Sequence, residues 1–285
     1  MPRSRAVDGF ELVYDETPGE QPVVLLHGWP GDRSDYRELV PRLPAGVRAI
    51  VPDLRGFGES DKHPRPPVET YSPAAQARSV LGLLDELGID AAMFAGYDIG
   101  SRIAQTIART APERVRALVV APPVPGIGQR ILTAEAQREF WYQAFHQLDL
   151  IEQLIDGDAD AVRAYLAYFW AHWSGARFEL SDAELDQLVA AYSPPGAFTA
   201  SIAWYRAGSG SVAMSIGEVA PPPSGRVRTP TSVLWPDSDP LFPPAWSDRV
   251  GAFFTDVTVR HLADTGHYVP LEAPDEFAAA ISAAV

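Results

Sequence analysis

The chain has no cysteine, a single lysine and no long apolar run, and two of these absences exclude whole classes of function. Without cysteine there is no disulfide, no thiol nucleophile and no thiolate metal site, so the redox compartment leaves no mark on the sequence. Lys62 is the only lysine among 23 basic residues, which face 37 acidic ones for a formal net charge of −14. Surfaces that bind nucleic acid or anionic lipid need clustered cations to offset phosphate, so neither is an expected partner. The lysine bias itself carries no mechanism. No stretch reaches the ~18 consecutive apolar residues of a membrane-spanning helix. The opening MPRSRAVDGFELVYDE meets acidic residues before any apolar core of a secretory signal. A cytoplasmic protein is the expectation.

What is present is ordinary globular material: 285 residues, 46% hydrophobic and 21% charged. That length accommodates one large α/β domain with an insertion, or two small domains, with a core that needs no staple.

FELVYDE alternates as a half-buried strand does, whereas PVVLLHG, VRAIVPDL, AAMFAGYD and RALVVAPP are continuous apolar runs suited to strands covered on both faces. Between them SDYRELVPRL, SPAAQARSVLGLLDELG and IGSRIAQTIARTAPE read as helices, the second entered at Ser72-Pro73 and left at Gly88. Strand alternating with helix predicts a mostly parallel sheet with helices on both faces. The alternation stops after APPVPGIG. From about Thr133 to Ala220 the pattern is helical and rich in aromatics, and after APPPSGRVRTP two more strand-like runs follow, TSVLWP and VTVRHLA. The helical segment therefore interrupts one sheet, with core at 1–124 and 226–285 and an insertion at 125–225.

GYDIG, from Gly96 to Gly100, sets Asp98 between a predicted buried strand and a predicted helix. Small flanking residues at such a junction permit a sharp turn that holds the central side chain over the sheet edge, the geometry of a nucleophile elbow. An isolated Gly-x-Asp-x-Gly is more often a plain turn, and the strand and helix around it are what alter the reading. His267, in LADTGHYVPLEAPDEF, lies in a loop after a strand, where the order nucleophile, acid, histidine places a general base. His146 and His172 sit among aromatics, where packing is the default. The acid of such a triad fixes the imidazole tautomer, and SVLWPDSDPLF offers both Asp237 and Asp239.

Taken together, HGWP at His27 to Pro30, DLRGFGESD at Asp53 to Asp61, GYDIG, LWPDSDPLF and GHYVPLEAP resemble the α/β-hydrolase family, and within it the lid-bearing epoxide hydrolases with an aspartate nucleophile. Pro236 departs from the pattern, standing where that family has glycine. The resemblance spans nearly the whole chain. It implies an α/β-hydrolase fold with an inserted helical lid, selects Asp239 as the acid, and assigns an oxyanion hole to the backbone amides of Trp29 and Ile99. It also implies two lid tyrosines that protonate an opening epoxide, Tyr142 in FWYQAFHQ and Tyr205 in WYRAG.

Aspartate matters for reaction class. A serine alkoxide attacks acyl carbon, but a carboxylate displaces a leaving group from saturated carbon and becomes an alkyl ester. The leaving group is an epoxide oxygen or a halide. Haloalkane dehalogenases resembling this family carry tryptophan after the nucleophile and asparagine after the His-Gly, where this chain has Ile99 and Trp29. Arg102 lacks the arginine partner with which fluoroacetate dehalogenases clamp a carboxylate, and reads as a structurally paired helix residue. Dehalogenation is thus the alternative, and a non-catalytic binding protein a minor one, disfavoured by the intact Asp98, Asp239 and His267. Among the lid aromatics, Trp141, Phe145 and Trp204, with Trp29 of the core, are expected to line an apolar pocket for an aryl-bearing epoxide. No cofactor or metal is implied, and a homodimer is the expectation by analogy alone.

Overall fold

A computed structural model describes residues 1–285. All the buried apolar runs become neighbours in one seven-stranded sheet ordered β1-β3-β2-β4-β5-β6-β7. The strands are β1 (Tyr14–Glu16), β2 (Gln21–Leu26), β3 (Val47–Pro52), β4 (Ala92–Gly96), β5 (Val115–Val120), β6 (Thr231–Pro236) and β7 (Val257–Leu262). Only β1 runs antiparallel, paired with β3. The parallel members β2, β4 and β5 are buried almost throughout, as their unbroken Val, Leu and Ala runs require.

Three helices belong to the first part of the chain: α1 (Pro67–Thr70), α2 (Pro73–Glu86) and α3 (Asp98–Thr110). Ser72 caps α2 by accepting the Ala75 amide, and Gly88 leaves it at a positive φ of 69° that other residues adopt reluctantly. Helix α3 packs on β2, β4 and β5. It does so through Ile103, Ala104 and Ile107, none of them exposed. Each large apolar side chain shielded this way contributes about 1.5–3 kcal/mol. The first turn of α3 is therefore rigidly seated on the sheet.

SDYRELVPRL is not the helix its spacing predicts. Two short 3-10 turns, Arg33–Tyr36 and Val40–Arg42, take its place. Pro41 has no amide to donate and would collide with the preceding turn of a continuous helix, while Asp35 and Tyr36 are drawn into the core. FELVYDE is likewise shorter as a strand. Phe10, Leu12 and Val13 are all buried, and regular ladder pairing covers only Tyr14 to Glu16.

Between β5 and β6 lie seven helices: α4 (Ala134–Glu139), α5 (Trp141–Phe145), α6 (Leu150–Ile155), α7 (Ala159–Trp173), α8 (Asp182–Tyr192), α9 (Ala197–Arg206) and α10 (Val212–Gly217). Their aromatics share one continuous cluster with the sheet's apolar residues, so these helices have no separate core. The chain closes with α11 (Val269–Glu272) and α12 (Pro274–Ala284). No helix is long and apolar enough to cross a membrane.

Candidate active site

From β2 the chain moves to β3 on one side, and from β3 it returns past β2 to β4 on the other. Loops leaving the carboxyl ends of β2 and β4 thus diverge, and the crevice between them is where doubly wound sheets bind ligands. Asp98 and Trp29 sit there. Asp98 adopts a left-handed φ of 48°, and its amide donates to the Pro122 carbonyl at 3.0 Å. A non-glycine residue in that region costs on the order of 1–3 kcal/mol and persists only where its surroundings hold it. Gly28 and Gly100 supply the room. A Cβ at Gly28 would come within 2.5 Å of the Asp98 Cβ, and one at Gly100 would collide with the Leu26 carbonyl.

The Asp98 carboxylate is buried at the amino end of α3, where unpaired amides favour negative charge. Its Oδ1 accepts the Trp29 amide at 2.9 Å. Its Oδ2 lies 3.4 Å from His267 Nε2. On the far side of the ring, His267 Nδ1 is 2.8 Å from Asp239 Oδ2, and Asp239 Oδ1 accepts the Leu241 amide at 2.8 Å. Nδ1 donates to Asp239, and Nε2, which makes no hydrogen bond, is directed at Asp98. Asp237, the competing acid, pairs instead with His261 at 2.6 Å on the surface.

Burial disfavours the His267 imidazolium, but the charges of Asp239 and then Asp98 outweigh it and raise the group from 6.5 to about 10. The folded state thus holds this proton more tightly than the unfolded chain. Its contribution to stability is full below about pH 6.5 and is lost as pH rises through about 10. The stability difference between the wild type and His267→Gln, measured by urea unfolding, is therefore expected to move against the wild type from about pH 6.5 to about pH 10. A flat difference across that window would contradict the ion-paired histidine.

Tyr142 and Tyr205 face Asp98 across a cavity of about 30 Å³. Their rings are 5.6 Å apart and perpendicular. Burial, reinforced by neighbouring negative charge and in Tyr205 by Tyr142, pushes both phenols well above 10, so they are neutral donors. Ile99, Phe140, Met214, Phe242 and Trp204 form most of the apolar wall, with Arg102 and Gln143 on the polar side. Arg102 is engaged by Glu218 at 2.6 Å while its side chain still borders the cavity. A larger surface cleft of about 590 Å³, bordered by Arg33, Glu59 and Lys62, lies apart from this cluster and holds no histidine.

Three expected pocket residues are not in the cavity wall. Trp141 is 38% exposed and packs on Phe145, Tyr165, Tyr168 and Phe169. Helix α5 turns Tyr142 inward, and successive residues point about 100° apart, so Trp141 and Phe145 fall on a different side of it. The Trp29 ring is wholly buried and parallel to Tyr142 at 5.9 Å, outside the cavity wall, and this residue reaches Asp98 through its amide. Phe242, Phe140 and Met214 take the expected places. Phe242 had a signal, three residues after Asp239 in the same loop; Met214 had none. Tyr97 donates its hydroxyl to the buried Asp35 at 2.6 Å and plays no part in the cavity. His146 is fully buried behind the tyrosines, with Nε2 3.0 Å from the Tyr165 hydroxyl, and burial holds it well below 6.5 as a neutral packing residue.

Chemically, the cluster combines a carboxylate oxygen positioned at a cavity, a proton acceptor backed by a second carboxylate, and two neutral proton donors opposite. Known proteins similar to this chain over nearly its whole length include hydrolases of two kinds. The soluble epoxide hydrolase of Corynebacterium sp. is 25% identical over 276 residues, covering 94% of this chain and 91% of its own. Haloalkane dehalogenase 2 of Mycobacterium tuberculosis is 26% identical, covering 94% of this chain and 88% of its own. Among solved structures, an epoxide hydrolase of the α/β-hydrolase superfamily from a hot-environment metagenome superposes with a TM-score of 0.82 at 25% identity, covering 99% of this chain and 97% of its own. Residues 21–274 match the family described by the alpha/beta hydrolase fold, and this chain belongs to the α/β hydrolase family.

Proposed function

We propose that the protein is an epoxide hydrolase that opens a hydrophobic, aryl-bearing epoxide through a covalent ester on Asp98. The observation that carries this reading is the pair of neutral hydroxyls, Tyr142 and Tyr205, bordering the same cavity as the Asp98 carboxylate. An Asp98 oxygen attacks one epoxide carbon, the C–O bond breaks, and the departing oxygen takes a proton from one tyrosine. A halide needs no such proton. Two buried phenols opposite the carboxylate favour the epoxide over the dehalogenase reading for that reason.

Water then attacks the carboxyl carbon of Asp98, giving up a proton to His267 Nε2. The tetrahedral oxyanion is held by the Trp29 amide, already at Asp98 Oδ1, and by the Ile99 amide at the start of α3. Collapse expels the diol oxygen, which takes the proton that water gave to His267 Nε2, and the last proton, on the new carboxyl of Asp98, passes to Nε2 as Asp98 returns to a carboxylate bearing one oxygen from water. The electrostatics support the order of events. Before alkylation His267 faces two carboxylates and holds its proton. Esterification removes the Asp98 charge and makes the imidazolium more acidic; it passes its Nε2 proton to the phenolate left by ring opening, which restores the tyrosine and frees Nε2 to act as the base on the ester.

The cavity of about 30 Å³ holds on the order of one or two waters and no aryl group. Substrate entry therefore requires α5, α9 or α10 to shift, and the helical insertion acts as a lid. The test is His267→Gln incubated with styrene oxide and, separately, with a matched aryl alkyl halide, followed by intact mass and peptide mapping. Expected is a gain of the whole epoxide mass on the Asp98 peptide, persisting because its hydrolysis lacks a base. An adduct from the halide alone would transfer the assignment to dehalogenation, and no adduct from a broad panel would favour a non-catalytic binding role.

A further inference from the structure

His267 is placed by its loop, and that loop has its own fastening. The carboxylate of Glu272, at the end of α11, accepts three backbone amides. Oε2 takes Gly266 at 2.7 Å and Gly175 at 2.8 Å, and Oε1 takes Tyr268 at 3.0 Å. Gly266 and Tyr268 are the residues on either side of His267. Gly175 belongs to the helical insertion, two residues beyond the end of α7. A second link runs beside it, the His267 amide donating to the Trp173 carbonyl at 2.8 Å. The two strands of chain are pressed together so closely that a Cβ at Gly266 would collide with the Gly175 amide.

Resting on the epoxide hydrolase reading above, we propose that Glu272 is a positioning residue for ester hydrolysis: it ties both backbone neighbours of His267 to the lid and so sets where Nε2 stands relative to Asp98. Only an ionised carboxylate satisfies all three donors. A glutamine has one acceptor oxygen, and in either orientation its NH₂ group meets at least one backbone N–H, leaving that donor unpaired. The loop would loosen around His267, while Asp98, Trp29 and the tyrosines, held by α3, the β2 loop and the lid cluster, keep their places. Because the imidazole acts as a base only in the second half of the reaction, the two halves should respond differently.

The experiment is rapid quench of the full-length wild type, Glu272→Gln and Glu272→Asp with styrene oxide, following the ester on the Asp98 peptide by mass. Rates are normalised to the burst of ester, which counts folded sites. Expected for Glu272→Gln is ester formation within about twofold of the wild type and ester hydrolysis slowed about tenfold or more, with Glu272→Asp in between because it keeps two acceptor oxygens. Hydrolysis at the wild-type rate, or equal slowing of both halves, would overturn the proposal, as would the absence of a burst from both variants. If His267→Gln itself accumulates no ester from any epoxide, the covalent reading fails and this role with it. An ester in His267→Gln beside normal decay in Glu272→Gln removes the role of Glu272 alone.

Discussion

Asp98→Ala is expected to lose epoxide turnover by on the order of 10⁴-fold or more, with no covalent adduct on the peptide spanning residues 93–105. Without the carboxylate there is no atom at the elbow to displace the epoxide oxygen, and water at the same place would have to attack unaided. The variant should still fold. Removing the side chain relieves nothing at the left-handed φ of 48° and forfeits the Trp29 hydrogen bond. It also spares the buried site a charge and leaves the sheet and α3 packing untouched. Styrene oxide hydrolysis measured by diol formation, beside a thermal melt, separates the two effects. Retention of more than about one per cent of activity in folded protein would mean that Asp98 is not the nucleophile.

Tyr142→Phe combined with Tyr205→Phe is expected to slow ester formation from an epoxide by on the order of 10³-fold, each single change giving a smaller loss. A positioned general acid contributes roughly 10²–10⁴-fold, and each phenol can substitute partly for the other because both border the cavity. Phenylalanine preserves the aromatic packing, including the parallel contact of Tyr142 with Trp29 and the perpendicular one between the two tyrosine rings. The folded protein should be little altered. Single-turnover ester formation, measured in the His267→Gln background, reads this step without interference from hydrolysis. An aryl alkyl halide supplies the control, since halide departure needs no proton from a phenol. Equal losses with epoxide and halide would show that the tyrosines shape the cavity rather than donate.

The legible parts of this protein were those governed by local rules. Unbroken apolar runs such as PVVLLHG and RALVVAPP can be satisfied only as strands covered on both faces, and they became β2 and β5. Ser72-Pro73 and Gly88 delimited α2 because cap and left-handed exit are properties of single residues. Pro41 is an equally local signal, since its ring and missing amide bar a continuous helix through SDYRELVPRL. The position of Asp98 between a buried strand and a helix was readable for the same reason.

The sequence by itself determined the alternation of strand and helix, the helical interruption between β5 and β6, and the chemical types carried on the loops at the strand ends. It could not separate Asp237 from Asp239 by residue type, since both are aspartates in one turn; that choice came from family resemblance, and in the structure the imidazole of His267 meets only the second of them. Nor could it say which aromatics of the helical insertion face the cavity. Trp141, Tyr142 and Phe145 share one short helix and are all aromatic, and their directions follow from how α5 leans on Trp29 and Phe169. The bond from Glu272 to Gly175 joins residues 97 apart in the chain. Contacts of that range depend on where the sheet and lid bring distant backbone together, which no local propensity encodes, and that is why the fastening of the histidine loop emerged only in three dimensions.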